Sequence, residues 1–291
     1  MKRLAPAFFV LLWSTGFIVA RYATRDAGAL SFLTVRTAIA AVILLVVARV
    51  ARETPLTGRQ RGWMMAVGLG MHAMYLGGVF FAIEHGMPSG MSALIAALHP
   101  VVTTVFASVV LGERLNRTRT VGVLLGVAGV VLVVAEHGGT GDGVSGPALL
   151  AMVVAVLGMS TGTLVQRQCG QGTPLLAGTA WQYASTTVAL GMVAVLGEGW
   201  RFRSTANTWL SMAWAVGVLS IAAILIMLWL LHRQAASQVS SLFFLTPALS
   251  SVEAAVLFDE KLGALAVVGL GVALVGVYLA TNQRFVGAVE S

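Results

Sequence analysis

Apolar residues run through this chain in blocks of about twenty, the length that crosses a hydrocarbon core. Ten blocks can be marked, at 4–22, 29–50, 62–84, 88–112, 119–136, 146–167, 174–196, 208–231, 236–258 and 263–281. Short polar or glycine-rich breaks separate them. Pro55-Leu-Thr-Gly58 parts the second and third blocks, Gly138-Gly-Thr-Gly-Asp-Gly143 the fifth and sixth, and Gly170-Gln-Gly-Thr-Pro174 the sixth and seventh. The breaks leave no room for a soluble domain. The start, Met1-Lys2-Arg3 before an apolar run, resembles a signal peptide. That run ends at Arg21-Tyr22 without a small-x-small cleavage site, so a retained first helix is expected.

Composition strengthens the membrane assignment. Hydrophobic residues make up 58% of the chain and charged residues 10%, against about 25% charged in soluble domains. The 33 glycines suit close helix contact in lipid. The net charge of +7 does not point to nucleic acid, because Lys and Arg stand singly between apolar runs. They act instead as topology signals. With the N-terminus inside, the inner segments hold twelve: Lys2, Arg3, Arg49, Arg52, Arg59, Arg61, Arg114, Arg117, Arg119, Arg167, Arg233 and Arg284. The outer loops hold five, namely Arg21, Arg25, Arg201, Arg203 and Lys261. Both termini are therefore expected in the cytoplasm. Cys169 is the single cysteine, so no internal disulfide forms.

The chain also repeats itself. Pro100 and Glu113 stand thirteen residues apart, as do Pro247 and Glu260, 147 residues later. Trp13-Ser-Thr-Gly16 followed by Arg21 matches Met159-Ser-Thr-Gly162 followed by Arg167 at a shift of 146, and Arg36 matches Gln182. Val121-Gly122 and Gly129 match Val268-Gly269 and Gly276. Blocks one to five thus recur as six to ten. Five is odd, so the halves enter the membrane in opposite directions, an arrangement of transporters that bind substrate near the midplane. The expected fold is an all-α membrane protein of ten transmembrane helices, in two inverted five-helix repeats (1–137 and 146–284) around a central cavity.

The early Trp-Ser, the Arg within the second block and the two Pro-(x12)-Glu helices, the first closed by Leu111-Gly-Glu-Arg-Leu115, carry a family resemblance. The chain resembles the EamA family of the drug/metabolite transporter superfamily over nearly its whole length. Within that superfamily the bacterial aromatic amino-acid exporters are a close comparison. The resemblance implies ten helices, a central cavity and export of amino acids or related metabolites across the inner membrane.

Several residues are candidates for that chemistry. Pro100 and Pro247 each remove a backbone donor, which kinks a helix and favours a site facing a cavity or another helix. His72, Tyr75 one turn on, and His99 beside Pro100 place polar groups deep in the membrane, where they face a bundle interior. Trp13, far from an interface, and Trp214 offer aromatic surface to a substrate. Ser160 lies in Gly158-Met-Ser-Thr-Gly162, which matches a nucleophile-elbow pattern. That pattern keeps an intramembrane serine hydrolase or protease as an alternative, with a passive metabolite channel as a third. The substrate-binding candidates are thus Trp13, His72, Tyr75, His99, Ser160 and Trp214. Arg36 and Glu84 vanish together in the second half, as Gln182 and Leu231, so an ion pair between them is one expectation; a role for Arg36 in holding a substrate carboxylate is another, and simple snorkelling to water a third. Glu113 and Glu260 are expected to cap helices or to pair with Arg114, Arg117 or Lys261. Glu253 has no evident partner and invites a proton-linked role. Gly122-(x3)-Gly126 and Gly269-(x3)-Ala273 allow close packing within the chain or in a weak homodimer. No metal, cofactor, phosphate-binding or ATPase motif occurs, so transport would draw on a gradient. The expected partners are a small-molecule substrate and the lipid bilayer, with no nucleic acid.

Overall fold

A computed structural model describes residues 5–113, 116–138, 144–223, 226, 245–260 and 263–281. Arg114, Leu231, Arg233 and Lys261 lie outside the described residues. Among the described residues the chain is helical, with one isolated antiparallel bridge between Ala27 and Phe202. The helices are α1 (Ala5–Ala23), α2 (Ala29–Val50), α3 (Gly58–Gly68), α4 (Tyr75–Glu84), α5 (Ser89–Ala96), α6 (His99–Leu111), α7 (Arg117–Gly138), α8 (Gly146–Cys169), α9 (Leu175–Val193), α10 (Ala206–Ala213), α11 (Thr246–Phe258) and α12 (Ala264–Thr281). Among the described residues six stretches are long and apolar enough to cross a membrane: 29–50, 58–84, 89–111, 117–136, 146–169 and 264–281. Shorter apolar helices cover Phe8–Ala23, Ala206–Ala222 and Thr246–Phe258.

Local chemistry sets several boundaries. Thr57 and Gln60 form a capping box, so α3 starts four residues before the apolar block does. Pro100 cannot donate to Ala96, and the helix breaks there into α5 and α6. Three π-helical segments, Leu69–Met74, Ala194–Glu198 and Trp214–Ala222, interrupt the ladder elsewhere.

Helix ends are closed from a distance. The N-caps of α2, α5 and α9 are Gly28, Pro88 and Pro174, which supply no side-chain acceptor. A glutamate from another part of the chain takes that place in each case. Glu84 accepts from Ala29 N, Glu260 from Ser89 N and Gly90 N, and Glu53 from Leu176 N and Ala177 N, at 2.8–3.1 Å. Glu136 does the same for α12 through Leu265 N and Ala266 N. A carboxylate at a helix N-terminus answers both the orphan N–H groups and the positive end of the dipole.

Packing follows small residues. α7 lies against α12, where a Cβ on Gly122, Gly129 or Gly276 would strike the backbone of the other helix. The small-residue faces of the two helices are therefore used within the chain. α2 packs on α9, α1 on α11, α6 on α8, and α4 on α8. The main core of Phe17, Phe32, Phe80, Met91 and Met152 lies where these pairs meet.

Candidate functional site

The polar groups of the interior gather where α2 and α9 meet two of the π-helical segments. Arg36 on α2 is buried, and its Nε and Nη2 donate to Ser220 Oγ at 3.3 Å. Ser220 belongs to the segment Trp214–Ala222. On α9, Gln182 Oε1 lies 3.1 Å from His72 Nε2, in the segment Leu69–Met74. Gln182 also donates to Gln166 Oε1 at 2.9 Å, and the Tyr183 ring lies 4.6 Å from the His72 ring. Thr37 and Thr187 join α2 to α9 by a 2.9 Å hydrogen bond. Such groups are costly in lipid unless they find partners, and here Arg36, Thr37, His72, Gln166, Gln182 and Thr187 each make at least one hydrogen bond to another of them or to a facing helix. A π-helical turn inserts one extra residue into the ladder and is often found at functional sites.

A second group surrounds the break at Pro100. His99 Nδ1 lies 3.0 Å from the Ala96 carbonyl, the acceptor that Pro100 leaves free. That contact makes Nδ1 the donor and turns Nε2 into an acceptor. Ser160 Oγ donates to the His99 carbonyl oxygen at 2.9 Å. The Tyr75 and His99 rings meet edge to face at 6.5 Å. Tyr75, His99 and Ser160 thus form one neighbourhood, while His72 belongs to the first group. The hydroxyl of Ser160 faces a carbonyl and not an imidazole, so no nucleophile–base pair forms there. Gly158 and Gly162 sit against Gly70, Met71 and Met74, so the small residues of that motif serve helix contact.

Trp13 and Trp214 belong elsewhere. Trp214 Nε1 donates to Thr15 Oγ1 at 3.0 Å, and its ring is exposed on the bundle surface. Trp13 lies on α1 against Phe9, ring centroids 5.4 Å apart. Pro247 is buried at the start of α11, and the hydroxyl of Thr246 beside it has no partner among the described residues.

Two charge assignments change. Arg36 and Glu84 do not pair: Glu84 is bound by Arg201 and caps α2, while Arg36 turns to Ser220. Shared loss from the second half reflected two separate jobs, one at a helix end and one in the interior. Glu260 does cap a helix, but its cation is Arg21, and Glu113 takes Arg167 at 2.8 Å. Both partners come from across the bundle and not from the adjoining loops. Glu253 accepts from Ser14 Oγ at 2.6 Å. Gln166, Gln182, Tyr183 and Ser220 were not singled out from sequence. Only Gln182 carried a signal, as the repeat counterpart of Arg36.

Comparison with known proteins supplies the family. The profile of the EamA-like transporter family matches twice, over 4–135 and 146–282. A Salmonella typhimurium protein named "Probable amino-acid metabolite efflux pump" is 24% identical over 93% of this chain and 91% of its own length. An uncharacterised inner membrane transporter of Escherichia coli is 25% identical over 98% of this chain and 93% of its own. A solved crystal structure superposes with a TM-score of 0.63 at 20% identity, covering 96% of this chain and 95% of the other, which shows a shared fold. Repeated apolar spans, an interior polar network and these matches agree: the chain is a multi-pass membrane transport protein and belongs to the EamA-like transporter family.

Proposed function

We propose that the chain is a secondary transporter of the bacterial inner membrane that exports amino acids or related small metabolites by alternating access. In this reading ten helices form two inverted five-helix repeats, both termini are cytoplasmic, and the protein works as a monomer or weak homodimer. One observation carries it. Arg36 and Gln182 are counterparts at a shift of 146, and each bonds to a π-helical segment of the opposite half. Those segments, 69–74 and 214–222, also correspond in the repeat. The polar interior is therefore a shared seam that rocking of one half against the other would open.

The substrate would bind along this seam. Arg36 has no carboxylate partner among the described residues and suits a substrate carboxylate. His72, Tyr75, His99 and Ser160 would line the adjoining wall, and Trp13 and Trp214 would offer apolar surface near α1, outside that wall. Pro100 and Pro247 would mark where helices flex. The name of the Salmonella relative supports an amino-acid class of substrate.

Purified protein in liposomes tests this. A carrier shows saturable uptake of labelled amino acids that unlabelled substrate inside the vesicles stimulates. Flux without saturation would favour a channel, and conversion of substrate into product would sink the transport reading.

A further inference from the structure

The α1–α11 contact holds an ionisable group that the substrate seam does not use. Glu253 is the eighth residue of the thirteen in α11. Its Oε1 lies 2.6 Å from Ser14 Oγ, and its Oε2 is buried with no hydrogen-bond partner among the described residues. Ser14 is itself fully buried, and its Oγ also lies 2.9 Å from the Leu11 carbonyl. One hydroxyl proton cannot serve two acceptors. A proton on Glu253 resolves the conflict: the acid donates to Ser14, and Ser14 donates to Leu11.

Five other glutamates are held differently. Glu53, Glu84, Glu113, Glu136 and Glu260 each accept from a backbone N–H or a guanidinium. Glu253 has neither among the described residues. The charged groups nearest along this contact are engaged at its outer end. Arg21 is bound to Glu260 and lies over the Phe258 ring, and Arg25 lies over the Tyr22 ring. α5, which also packs on α11, carries no titratable residue. An ionised carboxylate with one buried, unpartnered oxygen and no cation among the described residues is disfavoured.

We propose that Glu253, read by the Ser14 hydroxyl, is the proton-binding site that couples transport to a proton gradient. The proposal rests on the transport reading above. With the proton bound, the acid proton and the Ser14 hydroxyl proton each have an acceptor and the α1–α11 contact carries no charge. Loss of the proton to water swings the Ser14 hydroxyl from Leu11 to Glu253 and leaves Oε2 in need of solvent, which loosens the contact. Ser14 stands between Trp13 and Thr15, and Thr15 holds Trp214. A proton taken up or released there is thus felt along α1. Export against an inward proton gradient requires exchange of substrate for proton.

The test uses the full chain in liposomes with a radiolabelled mixture of the protein amino acids. A gradient of about one pH unit carries the free energy of about a tenfold concentration ratio. Acid-loaded vesicles with the wild type are expected to accumulate label by about that factor at one proton per substrate. Glu253→Gln should lose this accumulation while keeping counterflow without a gradient. Glu253→Asp, which keeps the carboxyl, should recover part of it. Infrared difference spectra between acid and alkaline pH give a substrate-free readout: a protonated-carboxyl band present in the wild type and missing in Glu253→Gln. Gradient-driven accumulation by Glu253→Gln overturns the proposal, as does a wild type with counterflow but no response to the gradient. Absence of the infrared band overturns it even if no amino acid is carried. Failure of wild-type counterflow with the band present counts instead against the amino-acid reading.

Discussion

Two helix contacts occupy matching places in the two halves, α1 on α11 and α8 on α6. Each has an arginine–glutamate pair at one end and a serine further in. Arg21–Glu260 matches Arg167–Glu113, and Ser14 matches Ser160. The uses of these parts differ. Glu260 is 11% exposed and also caps α5, whereas Glu113 is 34% exposed and holds only Arg167 among the described residues. Ser14 meets a carboxyl group, whereas Ser160 meets a backbone carbonyl. The residue 147 positions before Glu253 is Phe106. The two halves share the packing, and a carboxyl group against the serine distinguishes the α1–α11 contact from its counterpart.

That contrast can be broken most sharply at Glu260. Glu260→Ala removes two helix-capping acceptors and the partner of Arg21, and should cost about 2–3 kcal/mol of stability. Thermal unfolding in detergent should show it as a large fall in melting temperature. Arg36→Gln would make α2 resemble α9 at this position. Loss of a charged hydrogen-bonding group is worth about 1.5–3 kcal/mol, so counterflow should fall about tenfold while the protein still folds. Full activity in this variant would remove Arg36 from the substrate seam. Ser160→Ala removes the hydrogen bond that ties α8 to the His99 carbonyl and should cost about 1 kcal/mol in the same unfolding measurement. Glu113→Ala should change stability by less than about 1 kcal/mol, because an exposed ion pair contributes little. An equal effect of Glu113→Ala and Glu260→Ala would erase the distinction between the two contacts.

The smallest effect concerns the loops outside the helices. Hydrogen bonds from Asn207, then from Thr205, hold the Asp26 carboxyl below the usual carboxylate range. A depressed folded-state value means the contribution is present above the ordinary carboxylate range and is lost as pH falls through the depressed value. Acid should therefore weaken the clasp between the α1–α2 loop and the start of α10. Asn207→Ala should make proteolysis of these loops at neutral pH resemble that of the acidified wild type.

Much of this was legible in the chain. Hydropathy located α2, α8 and α12 to within two residues, because twenty apolar residues in lipid can only close their backbone bonds as helix. Pro100 announced the break between α5 and α6 for the same local reason. The π-helical segments left no comparable mark, since an extra residue in a helical ladder depends on what packs against it. Glutamates as helix caps were legible for Glu260 in kind but not in partner. Ser89 is 171 positions away from it, and nothing along the chain counts that distance.

Hydrophobic spacing and the internal match at 146–147 residues by themselves determined a helical membrane protein built of two related halves. They did so because the bilayer demands internal backbone pairing and because a repeat copies pattern along with sequence. Tertiary structure alone decided which charge meets which. It sent Glu84 to Arg201, left Arg36 to a serine and set Glu253 against Ser14. A carboxyl group in a low-dielectric interior is governed by the few atoms within hydrogen-bond reach, and only folding brings those atoms together.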